Sequence, residues 1–146
     1  MHARFIAMFA AIVVAVFMAA PASAADTTTF EAGQMWTVKG SDMRIVVGRV
    51  EPFGGGKSAV SVSVLDVPCP PTAGCTTTTV AHAPFDSDVL AASVDKLVAT
   101  GVQPAPQFDQ GYANWKQAKG GVFTVPVSKL PDLLFHAIGN AQLKNE

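Results

Sequence analysis

Charged and catalytic residue types are scarce in this chain of 146 residues. It has 10 lysines and arginines against 11 aspartates and glutamates, with one tyrosine, two tryptophans, three histidines and two cysteines. Each shortage excludes something. Without clustered Lys and Arg there is no electrostatic footprint for nucleic acid or for an anionic membrane surface. Past residue 24 only His82 and His136 could join the two cysteines, too few ligands for a structural zinc site. No C-x-x-C stands before a helix and no G-x-S-x-G marks a nucleophile elbow, so dithiol redox and acyl-transfer chemistry have no motif. The aspartates sit mostly at expected turns and caps, Glu31 and Glu146 lie near the ends, and Glu51 closes a predicted strand, so no carboxylate pair is placed for glycosidic cleavage. Neither a metal nor a cofactor is expected.

One thing the chain does not lack is a long apolar run. Met1, His2, Ala3 and Arg4 form a short cationic start, and the sixteen residues 5–20 are all apolar. Pro21 ends the run, and Ala22, Ser23 and Ala24 supply the small-x-small pattern that signal peptidase accepts. Sixteen residues fall short of the ~20 that cross a hydrocarbon core. We therefore expect a leader cleaved after Ala24, a working domain of residues 25–146 in the periplasm or outside the cell, and no stable membrane anchor. Only Arg4 among the basic residues goes with the leader, which leaves a formal charge of −2. A chain of this length suits one domain.

In an oxidising compartment Cys69 and Cys75, separated by five residues in a proline-rich stretch, are expected to form a disulfide. The sequence Gly54-Gly55-Gly56-Lys57-Ser58 resembles the end of a phosphate-binding loop but fails the pattern twice. Glu51 stands where its first glycine belongs, and a strand rather than a helix follows.

Periodicity predicts strands over 35–39, 43–51, 59–67, 76–81 and 122–125. The clearest is 59–67, where Val60, Val62 and Val64 alternate with Ser61 and Ser63. A helix is expected from Asp86 as N-cap to Gly101, with Phe85 and Leu90 as a hydrophobic staple and Val94, Leu97 and Val98 on its apolar face. Two more are expected over 108–119, with Phe108, Tyr112 and Trp115 at i, i+4 and i+7, and after Ser128. The order β-β-β-β-α-α-β-α, strands mostly before helices, predicts an α+β fold: a mainly antiparallel sheet of about five strands with helices packed on one face.

Three functions from different classes fit. The leading one is an exported binding module, for example an inhibitor or immunity-type protein engaging another exported protein, with Trp36, Phe85, Tyr112 and Trp115 as candidate contact residues. A second is a small hydrolase or lyase in which His82, at the end of a strand, acts as base with Asp86 or Asp88, with Ser87 as the candidate nucleophile. The third is a carrier of a small apolar ligand, lined by Trp36, Phe85 and Trp115.

Overall fold

The computed structural model describes residues 27–143, with side chains through residue 137, so the expected leader and its cleavage point lie outside the described residues. Four consecutive strands form a meander: β1 (Met35–Val38), β2 (Arg44–Pro52), β3 (Ser58–Pro68) and β4 (Thr77–Asp86). Then come helix α1 (Ser87–Ser93), strand β5 (Val94–Ala99), helix α2 (Phe108–Gln117), a 3-10 turn (Val127–Lys129) and helix α3 (Leu130–Leu143). The five strands make one antiparallel sheet in the order β4-β3-β2-β1-β5. The fold is α+β, as the sequence predicts.

β2 and β3 are rich in β-branched residues and are joined by a turn in which Gly54, Gly55 and Gly56 take φ of 48°, 59° and 73°, a region closed to most side chains. At the far end of β3 the Cys69–Cys75 disulfide closes the connection to β4, and the Cys69 N–H donates to Thr76 O at 3.0 Å. Pro84 is accommodated inside β4 because that strand is an edge. The chain carrying Phe123 lies alongside, Phe123 N–H donating to Pro84 O (2.8 Å) and Asp86 N–H to Phe123 O (3.0 Å). The N–H that Pro84 lacks would point to that outer side, away from the β3 ladder.

Two expected elements differ. The helix predicted to reach Gly101 ends at Ser93, and 94–99 is strand β5 on the open edge of β1, with Val38 opposite Val94 and Trp36 opposite Leu97. Val94 and Leu97 fit helical spacing, but their β-branched surroundings and a waiting strand edge win over local preference; Lys39 N–H donates to Ser93 O at 2.9 Å across the junction. The strand expected over 122–125 is reduced to the isolated bridge between Phe123 and Phe85. The fifth strand is therefore β5. Ser128 falls inside the 3-10 turn rather than capping α3.

β4 and β5 lie at opposite edges, ~19 Å apart if the sheet were flat at ~4.8 Å per strand. Helix α1, seven residues long, covers only about 10 Å. The sheet must therefore curl, and register shifts at Gly48 in β2 and between Val62 and Val64 against β4 supply bends. The concave face holds the apolar core: Ile45, Val47, Val60, Val62, Val64 and Phe85 pack with Leu90 of α1, Val127 and Leu130.

The serine face of β3 is covered as well. Ser61 and Ser63 are 1% and 0% exposed, because α2 and the connector before it lie over them, on the side opposite α1. Two glycines permit this approach. Any side chain at Gly48 would collide with the Phe108 ring, and a Cβ at Gly111 would stand 2.6 Å from His82 Cβ. Ser63 is held by the same layer, its hydroxyl donating to Ala81 O (2.7 Å) and accepting from the Ala105 N–H (2.9 Å).

Candidate functional site

β4 runs on to Asp86, so His82 lies within a strand rather than at its end. Its ring projects beneath α2, with ring centroids 5.4 Å from Phe108, 6.0 Å from Tyr112 and 5.8 Å from Trp115. Nε2 is 3.0 Å from Ser61 Oγ. Burial lowers the His82 pKa below the ordinary imidazole value, so the ring is neutral at neutral pH. A neutral imidazole beside a hydroxyl has the composition of a base–nucleophile pair, but Ser61 is only 1% exposed, which leaves a substrate carbonyl no approach.

Asp86 is not brought to His82. They stand four positions apart along β4, roughly 13 Å at ~3.3 Å per residue, and the Asp86 carboxylate is already engaged. Oδ1 accepts from the N–H groups of Asp88 (3.0 Å) and Val89 (3.3 Å), capping α1, and Oδ2 lies 3.3 Å from Lys57 Nζ. Burial opposes its ionisation, but the two N–H groups and the ammonium outweigh burial and hold its pKa below the usual carboxylate value. Ser87 and Asp88 sit in the first turn of α1, near Asp86 and away from the imidazole.

The sheet also divides the candidate contact residues. Trp36 packs edge-on against Phe30 at 5.8 Å and donates its indole N–H to Gln34 Oε1 at 3.1 Å. Phe85 is fully buried on the same concave side, 5.3 Å from Phe123. Trp115 lies across the sheet with Tyr112, so Trp36, Phe85 and Trp115 do not line one cavity.

What the structure does bring together is a groove of about 360 Å³ between the end of β2 and the end of α2, lined by Glu51, Phe53, Trp115, Lys116, Lys119 and Gly120 among others. The Phe53 and Trp115 rings stack with centroids 6.3 Å apart and 26° between planes. Trp115 is fixed in place: its indole N–H donates to Gly121 O at 2.8 Å, and its edge occupies the space a Cβ at Gly120 would need. Glu51 Oε2 accepts from Tyr112 OH (3.0 Å) and Lys116 Nζ (3.3 Å), while Oε1 is buried and has no hydrogen-bond partner. Beside them the Arg49 guanidinium covers the Tyr112 ring at 4.4 Å.

Comparison with family models, curated proteins and solved structures finds no match.

The groove thus combines a rigid aromatic wall, a carboxylate with one unused acceptor, and the ammonium of Lys119, which makes no ion pair among the described residues. Among the described residues no group of three or more His, Cys, Asp or Glu side chains is placed to hold a metal ion. Glu51 was legible only as the end of a strand. Its period-two relation to Arg49, on the face that α2 covers, was the available signal that both would meet the aromatic stripe.

Proposed function

We propose that the domain is an exported binding module that engages another exported protein, as an inhibitor or immunity-type protein does, and that its contact surface is formed by Arg49, Phe53, Tyr112, Trp115 and Lys116. The leader pattern and the Cys69–Cys75 bridge support export, and no described helix is long and apolar enough to cross a membrane. The observation that carries the contact surface is the Phe53–Trp115 pair. Two large aromatic rings are left at a groove rather than in the core, and one of them is locked in orientation by Gly120 and Gly121. Rigid Trp and Tyr flanked by Arg are the side chains that dominate protein–protein binding energy, because little conformational entropy is lost when they are covered.

Photo-crosslinking in the native host tests this. A photoreactive residue replacing Gln117, exposed at the end of α2, is expected to capture one discrete exported protein, and Trp115→Ala is expected to abolish the adduct without unfolding the domain. The same probe at Lys39, across the molecule, should capture nothing discrete. Equal labelling from both positions, or an adduct indifferent to Trp115, would overturn the assignment.

A further inference from the structure

Resting on that reading, we infer that the groove receives the C-terminal residue of the partner chain, and that this residue is apolar. Three chemistries converge there, and one residue with a free α-carboxylate satisfies them together. Its side chain lies on the Phe53–Trp115 wall. Its backbone N–H supplies the donor that Glu51 Oε1 lacks. Its carboxylate meets the Lys119 ammonium, which has no counter-ion among the described residues. Capture of a terminal carboxylate is a recurring mode of peptide recognition, and a charge-assisted contact gives it strength.

The alternatives satisfy fewer of these groups. A purely anionic ligand leaves Glu51 Oε1 without a donor. A cation meets two ammonium groups, Lys116 and Lys119, at the groove wall. A neutral saccharide offers hydroxyl donors and a face for the indole but nothing to balance Lys119. Lys116 is the movable side of the groove: it is more than half exposed and only 3.3 Å from Glu51 Oε2. Because Oε1 is buried, the incoming N–H reaches the carboxylate only once Lys116 gives up its contact with Oε2 and the group turns toward the groove. Trp115, pinned by Gly120 and Gly121, stays where it is.

The test uses three probes on the mature protein, followed by the Trp115 indole resonance in NMR titrations: N-acetyl-leucyl-phenylalanine with a free carboxylate, the same dipeptide as its amide, and N-acetylglucosamine trimer. The acid is expected to bind at least about tenfold more tightly than the amide, an advantage that salt diminishes. Lys119→Gln should cut the acid's advantage over the amide several-fold, and the remaining advantage should still weaken with salt. Equal binding of acid and amide, or tighter binding of the trimer than of either, overturns the inference. The crosslink from position 117 separates the two proposals. If the crosslink forms while acid and amide bind the wild-type protein alike, the terminal-residue inference falls and the binding module stands; if no crosslink forms at all, both fall.

Discussion

Gly111→Ala sets two known effects against each other, and the structure decides the sign. Gly111 lies in the middle of α2, and in a solvent-facing helix replacing glycine by alanine stabilises by about 1 kcal/mol. Here the new Cβ would stand 2.6 Å from His82 Cβ, whereas carbon atoms in contact settle at ~3.5–4.0 Å. Because His82 Cβ is fixed to the backbone of β4, no change of rotamer relieves the clash. Helix and strand must separate by about 1 Å across the serine face, at the upper part of the ~1–3 kcal/mol that overpacking costs. The net expectation is a loss of about 1–2 kcal/mol, which for a domain of this size lowers Tm by roughly 4–8 °C. Thermal unfolding followed by circular dichroism measures it, and the near-ultraviolet signal of Tyr112 and Trp115 should weaken as their layer loosens. The variant is then repeated with His82→Gly, which removes the obstructing atom. In that background Gly111→Ala should raise Tm. A rise in the otherwise wild-type protein would refute the close packing of α2 on β4.

Acid should destabilise the domain in two stages. The lowered His82 pKa means the unfolded chain takes that proton first, so stability declines as pH drops below about 6.5 until the folded value is passed; Asp86 contributes above the ordinary carboxylate pKa and is lost as pH falls through its own lowered value. Urea midpoints against pH should show His82→Phe removing the first stage and Asp86→Asn the second, and a midpoint insensitive to pH from 7 to 3 would contradict both. Reducing the Cys69–Cys75 bridge, which closes a loop of sequence separation 6, should cost only ~2 kcal/mol on the chain-entropy view and leave the fold intact; unfolding on reduction would show that the bridge does more. Ser63→Ala removes the partner of both Ala105 N–H and Ala81 O, and stability should drop by about 1–3 kcal/mol, with faster amide exchange at Ala105 as the local signature.

The strands announced themselves where composition and period agreed. Val60, Val62 and Val64 alternating with serines have one reading, and the glycine turn before them closes the hairpin. Residues 94–99 carry two patterns at once: Val94 and Leu97 serve a helix by spacing and a strand by composition. Which one forms depends on the edge of β1, a partner more than fifty residues away in sequence. Phe123 shows the opposite limit. Its segment looks like a strand but makes just the bridge that the end of β4 needs. For the site, the aromatic stripe on α2 was visible in the sequence, whereas the partners that turn it into a groove, Glu51 and Phe53, come from the far side of a hairpin. Nothing local links positions 51 and 115.

The serine face explains how α2 keeps two of its aromatic rings partly exposed. An alternating valine–serine strand implies water on the serine side, yet Ser61 and Ser63 are buried and hydrogen-bonded under the connector and α2. This second layer is held by Phe108 over Gly48, by His82 among three aromatic rings, and by polar contacts from Ser63 and Glu51, in place of the aliphatic packing on the concave face. Such a layer gains less from hydrophobic burial and depends more on each hydrogen bond being made, since an unpaired buried group costs more than a paired one returns. The elements that give way first in a domain are those with the fewest buried apolar contacts. Tyr112 and Trp115 can therefore remain partly exposed on α2, because the valine core holds the sheet without them.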